Sequence, residues 1–223
     1  MLTIAYFTCR RDPRTEWFFS SLKREAVNVD EIDIIVVDYH ADDDGRREDF
    51  KYKFHQFFGE QPDDKLRHVC PKPCIWQGKH RLTKNNYFAA SNARNTAFAL
   101  CRGDFIACVD DISALDIGWL PNVMHAKHHK YVALGAYKKV LKMSVNDHGG
   151  ISYDEYPPGV DSRFSRGTDR GIMQVTGDWL FGCSFALPIE AALTVNGFDE
   201  ICDGQGAEDY DFGIRLERAG YIS

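Results

Sequence analysis

The sequence predicts an α/β domain built on a mainly parallel central sheet with helices on both faces. Three observations carry that reading. Largely apolar runs at 4–7, 32–37 and 105–109 have the length and hydrophobicity of strands buried on both sides. Stretches with helical spacing lie between them, so strand and helix alternate through the first half. A chain of 223 residues fits one domain, or a domain with a small appendage, and is long enough to enclose a core.

The elements follow in order. Residues 4–7 form the first strand, and residues 15–26 an amphipathic helix with Trp17, Phe18 and Leu22 near one face. Residues 32–37 form the second strand. A charged stretch dotted with aromatics, 42–58, is moderately helical, and 66–70 is a short third strand. Residues 86–101 make a helix whose Ala90, Ala93, Ala97 and Leu100 form an apolar stripe, with Gly103 ending it before the strand at 105–109. Residues 115–124 read as the next helix.

The second half changes character. Strands at 131–134 and 139–145 lead into a long surface region punctuated by His148-Gly149-Gly150 and Tyr156-Pro157-Pro158-Gly159, with a polar stretch at 161–171. A loop of that length in a compact domain is usually a lid, a binding loop or disordered. Residues 173–187 then read as one or two strands. A short helix at 188–195 opens on its proline, and a longer one spans 207–219.

Composition excludes some classes. Apolar content of 44% with 27% charged residues is ordinary for a soluble globular protein, so neither disorder nor a fibrous fold is indicated. A net charge of −6 argues against a general nucleic-acid binder, which must neutralise phosphates with basic side chains. The first strand starts at Leu2 with no basic segment and long apolar run before it, so no signal peptide is expected, and no uncharged run approaches a membrane span. Seven cysteines, odd in number and scattered, read as reduced core thiols and point to a cytoplasmic, reducing compartment. Cys70 and Cys74 lack a second Cys/His pair at zinc-finger spacing.

Two acidic pairs carry the chemistry. Asp110-Asp111 ends the apolar run 105–109, which puts the pair outside the carboxyl end of a strand, where ligands of open α/β sheets sit. Adjacent carboxylates repel unless a positive charge joins them, and a hard divalent cation carrying phosphate oxygens suits such a place. The alternative is a loop acid, with Asp111 or Ser113 as N-cap of the helix at 115–124. Glu208-Asp209 opens the last helix, where Asp209, Phe212, Leu216 and Ala219 recur at helical spacing, so Asp209 faces inward one turn before the apolar stripe. The helix dipole favours a charged acid there, ready to accept a proton. Glu208 lies about 100° around the helix and is placed for a substrate hydroxyl. Acid enrichment in a first turn is the alternative for this pair. Asp211 and Arg215, spaced i, i+4, read as a surface ion pair.

Four segments in this order resemble the GT-A nucleotide-sugar glycosyltransferases, in particular the family-2-like inverting group. They are Tyr6-Phe7-Thr8-Cys9-Arg10; Ile34-Ile35-Val36-Val37-Asp38; Ser91-Asn92-Ala93-Arg94-Asn95 with Gly103 to Asp111; and Asn196-Gly197-Phe198-Asp199-Glu200 with Gly206-Ala207-Glu208-Asp209-Tyr210-Asp211. The resemblance spans nearly the whole chain. It implies a GT-A fold with a Rossmann-like, mainly parallel sheet and a smaller antiparallel acceptor-side portion, as a single catalytic domain 1–223. Residues 1–115 would be the donor half and 116–223 the acceptor half, with the amino-terminal domain of a longer protein as the alternative to a complete chain.

The resemblance further implies roles. Thr8, Arg10 and Asp38 would hold the nucleoside, with Asp42 as an alternative to Asp38, and Arg94 would reach the nucleotide. Asp110 would bind ribose, and Asp111 would bind Mn2+ or Mg2+ through a contracted DxD motif. Asp209 would be the catalytic base with Glu208 beside it, and the donor would be a UDP-sugar. The acceptor would be a hydroxyl, of a glycan, with Trp179 beside Glu208 as its contact. Many relatives carry a metal-binding histidine beyond the late helix, and none of the eight histidines here follows His148. Either the metal is held mostly by Asp111, diphosphate and water, or the chain is a domain of a longer protein.

Other classes fit less of the chain. A sugar-1-phosphate nucleotidyltransferase would carry a glycine-rich basic loop after the first strand, and an aspartyl phosphohydrolase an acid there; this chain has Thr8-Cys9-Arg10. A non-catalytic sugar- or nucleotide-binding module would use Trp76, Trp119 and Trp179 as platforms, although such aromatics are more often core.

Overall fold

The computed structural model describes residues 1–26, 28–59, 65–74, 88–135, 137–155, 172–203 and 206–222. In chain order the elements are β1 (Leu2–Thr8), α1 (Thr15–Arg24), β2 (Ile32–Asp38), α2 (Asp44–Phe58), β3 (Leu66–Val69), α3 (Ala90–Ala99), β4 (Phe105–Asp110), α4 (Trp119–His129), β5 (Ala133–Leu134), β6 (Val140–Val145), β7 (Ile151–Glu155), β8 (Ser184–Pro188), α5 (Ile189–Thr194) and α6 (Glu208–Arg218). The main sheet has the order β3-β2-β1-β4-β8-β5. Its first four strands are parallel, β8 runs against β4, and β5 runs against β8. β6 and β7 form a separate antiparallel pair.

Side-chain alternation along β1 builds a core on each face of the sheet. Leu2, Ile4 and Tyr6 pack with Phe18, Phe19 and Leu22 of α1, Phe50, Phe54 and Phe57 of α2, and Leu120 and Val123 of α4. Ala5 and Phe7 face the other way, against Ala93, Ala97 and Phe98 of α3, Ala191 and Ala192 of α5, and Phe212 and Leu216 of α6. On that second face the Phe198 and Phe212 rings stack at 4.1 Å, with Phe98 5.8 Å from each. Truncating a buried phenylalanine of this kind costs about 3–5 kcal/mol.

Register fixes what meets at the carboxyl edge. Thr8 lies opposite Asp38 and Phe7 opposite Asp110, so the ends of three neighbouring strands present Thr8, Asp38 and Asp110 side by side. The reversed β8 pairs Ser184 with Val109, and the Asp110 amide donates to the Cys183 carbonyl at 3.2 Å. Residues 182–183 are thereby drawn alongside the acidic pair.

Several sequence expectations need correction. The helix expected at 115–124 starts at Trp119, with Gly118 at φ 87° before it. Neither Asp111 nor Ser113 caps it: the Ser113 hydroxyl donates to the Asp110 carbonyl, and the Glu25 carboxylate of α1 accepts from the Gly118 and Leu120 amides. Pro121 sits in the first turn, where the missing N–H would have no helical partner. The region after 145 holds a second strand, β7, joined to β6 by a tight turn in which Asn146 Oδ1 accepts from the His148 and Gly150 amides. Residues 173–187 yield a single strand, β8, preceded by a 3-10 turn at Gly177–Trp179. The helix expected at 86–101 is described from Ala90, and it exposes Leu100. Residues 86–87, Trp76, the 156–159 segment and the polar stretch 161–171 lie outside the described residues.

The seven cysteines form no disulfide. Among the described residues no helix is long and apolar enough to cross a membrane.

Candidate active site

The two acidic pairs meet on one arginine. Arg94 rises from the second turn of α3, and its guanidinium donates from Nη2 to Asp110 Oδ1 and from Nη1 to Glu208 Oε1, each at 3.3 Å. The group is 2% exposed and lies near the rings of Phe7 and Phe198, 5.9 and 5.3 Å from their centroids. Burial pulls the Arg94 pKa down, but the charges of Asp110 and Glu208 outweigh it and raise it above the ordinary value. The expected contact with nucleotide is therefore a contact with the two acids in this structure. Arg94 Nε is buried without a hydrogen-bond partner.

Asp110 is half-buried at the end of β4. Burial raises its pKa, and against the opposing Arg94 charge the neighbouring Asp111 and Glu208 help push it up to about 6. Asp111 is raised as well, chiefly by burial, with Thr8 and Arg10 opposing. Its carboxylate accepts from Thr8 Oγ1 at 2.7 Å and from Arg10 Nε at 3.2 Å. The next residue, Ile112, turns the chain away at φ 53° and anchors its amide to the Pro13 carbonyl at 3.0 Å. Both acids are thus anions that burial disfavours although each meets an arginine. That is the donor set a hard divalent cation relieves, and on this count the residues fit Mn2+ or Mg2+. Among the described residues no group of three His, Cys, Asp or Glu side chains is arranged to hold such an ion.

Asp209, the second residue of α6, is half-buried beside Gly182. Its Oδ2 accepts from the Gly182 amide at 3.3 Å and its Oδ1 from the Tyr210 amide at 2.8 Å. The helix begins after Ala207, which takes a left-handed φ of 67° behind Gly206 at 86°. Trp179 is half-buried in the 3-10 turn Gly177–Trp179, which lies on α6 where Gly177 and Gly213 touch backbone to backbone: a Cβ on either would come within about 2 Å of the other's carbonyl oxygen. The Gly177 amide also donates to Glu217 at 2.8 Å.

Asp38 lies at the end of β2, opposite Thr8. It is 0% exposed, and its two oxygens accept from both Nε and Nη2 of Arg46, from His68 Nε2 at 2.9 Å and from the His40 amide at 2.9 Å. Burial raises its pKa, but the bonds from His68 and Arg46 win and hold it below the usual value. All four lone-pair positions of the carboxylate are filled from within the protein, so in this structure Asp38 holds other residues rather than facing the cleft. Arg46 passes the connection on, donating to the carbonyls of Arg10 at 2.6 Å and Arg11 at 2.9 Å. Asp42, the alternative, is exposed.

Several residues that build the site escaped sequence reasoning. Arg46 and His68 carry no local signal, because they matter only through Asp38. Gly182 carried one, since a glycine inside an apolar run marks a close approach. Asp203 had none: it is buried and accepts from the Ser91 and Asn92 amides at 2.7 and 3.1 Å, capping α3 from a distant part of the chain.

No protein-family model and no curated protein matches the chain. Solved structures do. The mannosyltransferase PcManGT from Pyrobaculum calidifontis, in complex with GDP-Man and Mn2+, matches 99% of this chain and 53% of its own at TM-score 0.62 and 18% identity. S. aureus TarS 1-349 matches 96% of this chain and 54% of its own at TM-score 0.58 and 17% identity. The same TarS segment in complex with UDP-GlcNAc matches at TM-score 0.54 and 16% identity. At such identities the likeness is one of fold, and the fold is the GT-A type: a mostly parallel sheet between helices with a small antiparallel sheet beside it. The chain spans about half the length of these structures.

Proposed function

We propose that this chain is the catalytic domain of a metal-dependent, inverting glycosyltransferase of the family-2-like group, moving a sugar from a nucleotide-diphosphate donor to an acceptor hydroxyl, of a glycan. The observation that carries the reading is the Arg94 bridge, which joins Asp110 at the end of β4 to Glu208 at the start of α6. An acid suited to the donor and an acid suited to the acceptor are thereby brought together at the carboxyl edge of the sheet, where ligands of such sheets bind. The fold is shared with structures that hold UDP, UDP-GlcNAc, or GDP-Man with Mn2+, which supports a nucleotide-sugar donor, with UDP preferred from the motif resemblance.

In this reading residues 1–115 hold the donor and residues 116–223 the acceptor. Thr8 and Arg10 line the nucleotide side, Asp110 takes the ribose, and Asp38 and Arg94 act by fixing their neighbours. A divalent cation at Asp111 supplies charge neutralisation to the departing diphosphate when bound. Asp209 takes the acceptor's proton as its oxygen attacks the anomeric carbon and the bond to the diphosphate breaks, so one displacement inverts that centre. The Gly182 and Tyr210 amides hold the Asp209 carboxylate in one orientation and leave it lone pairs for the incoming hydroxyl. Glu208 and Trp179 border the acceptor.

The test is thermal stability. UDP with Mn2+ at about a hundred times its Kd should raise the melting temperature by about 5–10 °C, and EDTA should remove the gain. A flat response across UDP, GDP and dTDP, each with Mn2+ or Mg2+, sinks the proposal.

A further inference from the structure

We propose that Arg10 is a resident counter-ion for Asp111, displaced when a divalent cation arrives, so that cation binding frees an arginine to turn toward the donor. The inference rests on the metal-dependent reading above and deepens it.

The geometry separates what can move from what cannot. Arg10 touches Asp111 through one contact, Nε to Oδ1 at 3.2 Å, and its side chain is 57% exposed. Its backbone, by contrast, is held on every side. The Arg10 amide donates to Thr8 Oγ1 at 3.0 Å, and its carbonyl accepts from Arg46 Nη2 at 2.6 Å. The flanking carbonyls are tied as well, Cys9 to His40 Nε2 at 3.1 Å and Arg11 to Arg46 Nη1 at 2.9 Å. The side chain can therefore swing on a stationary stem while Asp111 stays put, its own exit fixed by the Ile112 amide on Pro13.

Arg94, the other cation of the site, cannot make this exchange. It is buried, bonded to acids on two sides, and roofed by Gly182. The two arginines divide accordingly: one is architectural and the other is a placeholder. A monodentate, half-exposed arginine–carboxylate pair is worth only about 0.2–1 kcal/mol, so a divalent ion on the same oxygen displaces it readily. The released guanidinium has the planar, paired donors that suit a diphosphate.

The experiment measures Mn2+ bound to the full chain, without nucleotide, from the electron paramagnetic resonance of the free ion. Arg10→Ala and Arg10→Gln should each bind Mn2+ about two- to tenfold more tightly than the unaltered protein, by removing a competitor and a repelling charge. The gain should shrink as salt is raised from about 0.05 to 0.5 M. The same variants should bind UDP more weakly in saturating Mn2+, measured by calorimetry. A merely structural role for Arg10 predicts no gain in Mn2+ affinity, so unchanged or weakened Mn2+ binding in both variants overturns the inference alone. Asp111→Asn provides the separate check: if Mn2+ binding does not depend on Asp111 in any of these proteins, with or without UDP, the metal reading itself falls and takes this inference with it.

Discussion

Gly182 lies against the Arg94 guanidinium so closely that a Cβ at position 182 would fall 2.2 Å from Nη2 and 2.5 Å from Cζ. The guanidinium has nowhere to retreat, because it is bounded by Phe7, Phe198, Asp110 and Glu208. Gly182→Ala should therefore cost about 1–3 kcal/mol by overpacking, lowering the melting temperature by about 3–10 °C. It should also abolish the Mn2+-dependent gain with UDP. A variant that melts like the unaltered protein and keeps that gain shows that the contact is not tight in solution.

Removing the arginine tests the electrostatics. Arg94→Met leaves Asp110 and Glu208 without their common cation, and breaking such a buried pair costs about 3–5 kcal/mol. The triple variant Arg94→Met, Asp110→Asn, Glu208→Gln should recover a large part of that loss in urea unfolding, because no uncompensated charge remains. If the triple variant is no more stable than the single one, lost packing rather than lost charge explains the effect.

Asp110 and Asp38 should give opposite pH signatures. The folded pKa of Asp110 is raised from 3.8 to about 6, so its contribution to stability is fully present below 3.8 and is lost as pH rises through about 6. The stability of the metal-free protein relative to Asp110→Asn should accordingly fall across that window. Asp38 is shifted the other way, so its contribution is present above 3.8 and is lost as pH falls through its lower folded value. The unaltered protein should exceed Asp38→Asn at neutral pH, and the gap should close on acidification. Melting curves from pH 3 to 7 decide both, and slopes of the same sign would contradict the assignment.

The two acidic pairs should fail differently when neutralised. Asp111→Asn should weaken nucleotide binding that depends on Mn2+, whereas Asp209→Asn should keep that binding. Asp209→Asn should lower transfer by about 100-fold or more, as expected for loss of a general base. The readout is UDP release from whichever UDP-sugar stabilises the protein. Unchanged turnover in Asp209→Asn removes it as the base.

What the sequence revealed, and what it hid, follows from the range of the interactions. Largely apolar runs marked β1, β2 and β4, because a strand covered on both faces needs no partner's identity to be recognised. β7 was hidden: Ile151–Glu155 is mostly exposed and reads as loop until its pairing with β6 is known. The start of α4 was misplaced because its cap, Glu25, comes from α1 rather than from the preceding residues. At the site, the acids were legible as pairs at element ends, but their partners were not. The partners of Asp38 were hidden, because nothing nearby in sequence announced that Arg46 and His68 would fill its oxygens.

The connections of α3 bear on the order in which the molecule can be completed. Its amino-terminal amides at Ser91 and Asn92 wait for Asp203, 112 and 111 residues further on, and Arg94 waits for Glu208, 114 residues further on. A chain emerging from the ribosome through β4 already carries the helix, Arg94 and Asp110. It cannot yet supply the cap or the second counter-charge. The corner where the proposed donor and acceptor sides meet is therefore closed by residues made after β4.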